Sequence, residues 1–173
     1  MDRTPRPEII DYESDQITGL FSALRSPEKK VRADAARQLG QTGPPAIPGL
    51  LEMLRDPDWV VRYRVVEALA MIPDPRVDTI LLASLEDGRD HVRYMAAKSL
   101  GIRKMKSALV PLVSHLRDDN EFVRMQVART IAALGDSSAI PDLEKAASGE
   151  QIDRVAAEIR KAIEQLRGLR RYF

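Results

Sequence analysis

The sequence predicts an all-α protein, a solenoid of about five stacked helix pairs. Three observations carry this. A motif recurs every 30 or 31 residues, the apolar positions within each recurrence share helical faces, and no segment alternates apolar and polar residues with the period of two that a strand needs.

The motif is a Val-Arg pair at 31–32, 61–62, 92–93 and 123–124. Five residues after each valine stand Ala36, Val66, Ala97 and Ala128, and three further on stand Leu39, Leu69, Leu100 and Ile131. Offsets of five and eight lie on one face of a helix. A second apolar series, Leu20, Leu50, Leu81, Leu112 and Leu143, keeps the same period and defines another helix in each unit. The pairs are expected over 15–40, 45–71, 75–101, 106–134 and 138–167.

Punctuation separates the elements in order. "RSPEKK", "RDPDW", "EDGRD" and "RDDNE" divide the first helix of each unit from the second and offer Ser26, Asp56, Asp58, Asp90 and Asn120 as N-caps. "GQTGPP", "IPDP" and "LGDSS" end the second helices, and Pro48, Pro111 and Pro141 fall in first turns, where a missing amide hydrogen costs little. In the last unit Glu144 and Ala147 replace the large apolar residues of earlier units, as expected of a terminal repeat facing water. The domain plan is a flexible N-terminal arm over 1–14, one repeat domain over 15–167 and a basic C-terminal tail over 168–173.

The repeats "VRADAARQLGQTG", "VRYMAAKSLG" and "VRMQVARTIAALGD" resemble the short HEAT-like repeat of the phycobilisome-lyase type, with its Val-Arg, paired small residues and Leu-Gly. That resemblance implies a right-handed superhelix with the second helices on its concave side.

Four arginines repeat, Arg32, Arg62, Arg93 and Arg124, each with carboxylates in the turn before it. A planar guanidinium can bridge a carboxylate and loop carbonyls of a neighbouring unit, so these are expected to form a structural ladder along the stack. Trp59, Tyr63, Arg64, Tyr94, Met95, Lys98, Met125 and Arg129 do not repeat as a type and fall on the face the core leaves free. They are the expected partner-binding residues, because interface hot spots favour Trp, Tyr and Arg. His91 and Phe122 share a slot with Val60 and Lys30 and read as local packing variants.

With 27 basic and 26 acidic side chains, no global field draws the chain to nucleic acid or lipid. No run of about 18 apolar residues exists, no signal-like start is present, and a cytoplasmic location is expected. No cysteine is present, and the two histidines, His91 and His115, stand in no metal-ligand spacing, so no metal or other cofactor is expected. The chain has no His-Glu pair, which separates it from the iron-binding HEAT-like hydroxylases. The functional expectation is a non-enzymatic scaffold or accessory subunit that binds a protein through its concave face. Two alternatives stay open: a lyase-like or chaperone subunit that holds a chromophore, implied by the resemblance, and a nucleic-acid groove.

Overall fold

In the computed structural model, which describes residues 12–169, ten α-helices form five pairs, with no strand among the described residues. α1 (Tyr12–Ala23) pairs with α2 (Lys29–Thr42), and α3 (Ile47–Met53) with α4 (Trp59–Met71). α5 (Arg76–Ala83) pairs with α6 (Asp90–Ile102), α7 (Leu109–Ser114) with α8 (Glu121–Leu134), and α9 (Ile140–Gly149) with α10 (Asp153–Leu169). The ends differ from expectation: α1 takes in three residues of the span expected as an arm, and α10 two of the expected tail. The rest of both spans lies outside the described residues.

Consecutive second helices pack directly, α2 on α4, α4 on α6, α6 on α8 and α8 on α10, whereas consecutive first helices meet sparsely. The closer-packed layer subtends the shorter arc, so the stack bends toward the second helices and they line its inner side. Between the layers runs one core. Leu24, Leu39, Leu50, Leu69, Leu81, Leu100, Leu112, Ile131, Leu143 and Ile159 are all fully buried in it. α10 buries Val155, Ile159, Ile163 and Leu166 and exposes Lys161, Glu164 and Gln165. Glu144 is not a change particular to its unit, because its counterpart Leu51 in the second unit is itself 41% exposed, whereas Leu54, the counterpart of Ala147, packs against the core.

The small residue after each repeated leucine is set by helix-to-helix approach. A Cβ on Gly40 would stand 2.9 Å from Met71 Cβ and 3.0 Å from the Ala68 carbonyl, and one on Gly101 would stand 3.1 Å from Thr130 Oγ1. Thr130 Oγ1 in turn donates to the Ala97 carbonyl at 2.9 Å, a buried tie between α8 and α6.

Three of the four repeated arginines, Arg62, Arg93 and Arg124, form rungs of a ladder, with one correction to its wiring: each takes the carboxylate of the next unit but the carbonyls of its own preceding turn rather than a neighbour's. Arg62 donates through Nη1 to the Asp56 and Pro57 carbonyls (2.8 and 3.2 Å) and grips Asp87 with Nε and Nη2 (2.8 and 2.9 Å). Arg93 repeats this on the Asp87 carbonyl (3.0 Å) and the Asp118 carboxylate (2.7 and 2.8 Å). Arg124 does so on the Asp118 carbonyl (2.7 Å) and Glu150 (2.7 and 3.0 Å). The same carboxylates accept a backbone N–H two residues on, from Arg89, Asn120 and Ile152, so each fixes its own turn as well as the rung. The first unit departs from the rule. Arg32 keeps its carbonyls, Ser26 and Pro27 at 2.6 and 2.8 Å, while its Nε is buried without a partner. Arg25 has taken the carboxylate of Asp56 instead, at 2.8 Å.

Burial acts to raise the carboxyl pKa of Asp87 and of Asp118, but the hydrogen bonds from Arg62 and Arg93, with the backbone N–H donors, outweigh it and hold both below the ordinary value. For Glu150 the hydrogen bond from Arg124 is the largest influence and lowers it too. These carboxyls are ionised at neutral pH, as a charge-assisted rung requires.

Candidate functional site

At the N-terminal ends of α4, α6 and α8 the inner layer opens into a recess of about 280 Å³, lined by Tyr63, Asp90, His91, Tyr94, Asn120 and Phe122. Successive units supply its walls: Tyr63 from α4, Asp90, His91 and Tyr94 from α6, and Asn120 and Phe122 from the start of α8. Asn120 is the N-cap of α8, its Oδ1 accepting from the N–H groups of Phe122 and Val123 at 2.8 and 3.3 Å. That leaves Nδ2 free to donate across the seam to Asp90 Oδ2 at 2.5 Å. Asp90 Oδ1 accepts in turn from His91 Nδ1 at 2.8 Å.

Behind His91 lies Trp59, the sole tryptophan, with ring centroids 4.5 Å apart and planes tilted by 44°. The Arg89 guanidinium covers Trp59 at 5.1 Å, a cation–π contact. Phe122 is 52% exposed and has the Arg154 guanidinium 5.3 Å from its centroid. Burial pushes the Tyr63 hydroxyl pKa up, with Glu67 adding to the effect and Arg64 opposing it. At neutral pH Tyr63 is therefore a hydrogen-bond donor. The hydrogen bond from His91 is the largest influence on Asp90 and holds its carboxyl below the ordinary value, so it is a carboxylate beside the aromatic walls.

The residues expected to meet a partner divide in three. Tyr63 and Tyr94 are half-buried and line the recess, and Trp59 backs it. Met95 is a correction: at 2% exposed it belongs to the core, since one position past Tyr94 the helix has turned inward. Met125 is half-buried against the same core. The expected cations are largely spoken for. Arg64, 11% exposed, pairs with Glu67 within its own helix, and Arg129 pairs with Glu158 of α10 at 2.8 Å. Arg37, flanking the same stripe, pairs with Asp34 at 2.8 Å. Lys98 is exposed and, among the described residues, makes no such pair. A stripe neutralised by its own carboxylates is a poor electrostatic track for nucleic acid.

Asp90, His91, Asn120 and Phe122 are the site residues that sequence reasoning missed. Asp90 and Asn120 read as caps, and His91 and Phe122 as packing variants. The available signal was their adjacency one period apart, since Asp90 and Asn120 are separated by 30 residues and His91 and Phe122 by 31, which stacks them on neighbouring units.

Stacked helix pairs, a repeated arginine rung and a non-repeating aromatic recess define a short α-helical repeat protein with a ligand-sized feature on its inner layer. Residues 17–101 and 80–164 match the family described as HEAT repeats, and the chain belongs to that family. It is 33% identical over 107 residues to the phycocyanobilin lyase subunit alpha of Picosynechococcus sp. strain PCC 7002, a match that takes in 58% of this chain and 37% of that protein. The chain therefore spans little more than a third of the length of that relative. Among solved structures it resembles a chain of the complex of CpcE and CpcF, the phycocyanin lyase of Nostoc sp. PCC7120. The TM-score is 0.75 at 24% identity, covering 86% of this chain and 98% of the other. An engineered protein also shares the fold, with TM-score 0.54 at 21% identity over 91% and 81% of the two chains. These likenesses correct the expectation of a non-enzymatic chain: the sequence relative is a lyase subunit, and the structural relative is part of a lyase complex. No helix among the described residues is long and apolar enough to cross a membrane.

Proposed function

We propose that this chain is a subunit of a lyase-type complex, holding an open-chain tetrapyrrole of the bilin class at its inner recess while a second protein presents the acceptor group. The observation that carries this reading is the recess: three aromatic rings and an imidazole from neighbouring units around one opening. Conjugated, flat ligands gain from ring-on-ring contact of this kind.

A volume of about 280 Å³ is at the low end of ligand pockets, so the recess takes part of an extended chromophore. The remainder lies along the inner layer, where exposed Lys98 stands one helical turn beyond Tyr94 and can meet a propionate. With no cysteine in the chain, the thiol that accepts a bilin belongs to the acceptor protein. A heteromeric assembly fits the same picture, because the structural relative is one member of a two-protein complex.

The test is a titration of the purified chain with phycocyanobilin, followed by visible absorbance and by quenching of Trp59. Saturable binding is expected, weakened by about 10-fold or more in Tyr94→Ala, equivalent to about 1.4 kcal/mol, measured at a temperature where circular dichroism shows the variant folded. Absence of saturable binding at micromolar pigment, or equal affinity in Tyr94→Ala, would overturn the proposal.

A further inference from the structure

The recess holds more than aromatic surface. Asn120 Nδ2 donates to Asp90 Oδ2, and Asp90 Oδ1 accepts from His91 Nδ1, in a chain that runs from the cap of α8 to an imidazole on α6. Asn120 is itself fixed, because its Oδ1 is occupied by two backbone N–H groups. With Nδ1–H committed to a carboxylate, the neutral ring carries its lone pair on Nε2. The ring is packed against Trp59 on one side and lines the recess. A fixed tautomer, an orienting carboxylate and a ligand-sized opening are the parts of an acid–base site.

We propose that His91, aligned by Asp90 and Asn120, is the proton-transfer group of the recess and acts on the thiol that adds to the bound chromophore. The inference rests on the chromophore reading above and assigns its chemistry to one side chain. In an addition across a conjugated double bond, the thiol gives its proton to Nε2 as the sulfur–carbon bond forms. The π pair moves into the chromophore, and the imidazolium returns the proton there. Nothing is oxidised or reduced, and no further reactant enters. The Asp90 carboxylate stabilises the imidazolium in between and keeps the ring from turning.

Several charged and titratable groups surround the ring. Its own helix supplies Asp90, Arg89, whose Nε is 3.8 Å from Asp90 Oδ1 while its guanidinium covers Trp59, and Arg93, which also feels the Asp90 charge. Tyr63 and Tyr94 line the same opening. From α8 come the neutral Asn120 and Phe122, with Glu121 engaged by Arg154.

One measurement on the full chain tests the relay: thiol adduct formation on phycocyanobilin with 2-mercaptoethanol, read by mass spectrometry. His91→Gln is expected to slow it by about 100-fold when both proteins are compared at saturating pigment. Equal rates overturn the relay. A wild type that binds no phycocyanobilin overturns the chromophore reading and the relay with it, whereas normal binding with an unimpaired His91→Gln overturns the relay alone.

Discussion

Replacing Arg93 with alanine probes the ladder where it is most fully connected. Arg93 and Asp118 are 12% and 3% exposed, and the substitution removes two hydrogen bonds to Asp118, one to the exposed Asp119 and one to the Asp87 carbonyl. Asp118 is then left a buried carboxylate with the Asn120 N–H as its remaining close donor and the His115 ring 3.6 Å away. Breaking a buried pair from one side costs roughly 3–5 kcal/mol, and the open side of the turn puts Arg93→Ala at the low end, about 3 kcal/mol. Arg32→Ala is the internal control. Arg32 holds two carbonyls and no carboxylate, so its loss costs about 1–2 kcal/mol. At roughly 2–4 °C per kcal/mol for a chain of this size, Arg93→Ala should melt about 2–8 °C below Arg32→Ala in differential scanning calorimetry. Equal melting temperatures, or an Arg93→Ala variant as stable as wild type, would refute the claim that the inter-unit carboxylate is what gives the rung its strength.

Gly40→Ala sets a helix-propensity gain of about 1 kcal/mol against a Cβ placed 2.9 Å from Met71 Cβ and 3.0 Å from a carbonyl, an overpacking that costs about 1–3 kcal/mol. Net destabilisation of about 1 kcal/mol is expected by urea unfolding, and a stabilised variant would show that α2 and α4 part easily. Met95→Ala should cost about 2–4 kcal/mol in the same assay and leave pigment affinity unchanged, because its side chain is in the core. Acid should weaken the protein through the rungs: Asp87, Asp118 and Glu150 have lowered folded pKa values, so their contribution is present above the unfolded carboxylate range near pH 4 and is lost as pH falls through those lowered values. Melting temperature measured from pH 6 down to pH 2 should fall below about pH 4, and less steeply in Arg93→Ala; parallel curves would disprove the assignment.

The repeat made most of the fold legible, because a period of 30 or 31 residues constrains every unit at once and the buried leucines fall where it puts them. The boundaries were less readable. α6 runs one residue past the expected end and closes through Lys104 at φ 51°, a left-handed position filled by Gly43 and Gly135 at the ends of α2 and α8. No glycine marked that stop. The arginines announced a ladder, but which unit supplied the carboxylate depended on how far the stack advances per repeat, and that is a three-dimensional quantity. The recess was half legible. Tyr63 and Tyr94 stood out as aromatics on a free face, whereas Asp90 and Asn120 were hidden inside turn sequences whose capping role already accounted for them. Their second role, a hydrogen bond to each other across the seam, exists only after stacking.

The two central rungs couple a unit to its successor through one shared separation. Arg62 meets Asp87 and Arg93 meets Asp118, each 25 residues on. Excising residues 63–93, a full period of 31, would again leave the Asp118 carboxylate 25 residues beyond Arg62 and so restore the pairing. The array can therefore lengthen or shorten by whole periods with its rungs intact. The recess has no such freedom, since the same excision would delete Tyr63, Asp90 and His91 together. Endurance here is a property that can be copied unit by unit, while chemistry depends on one unrepeatable order of neighbours.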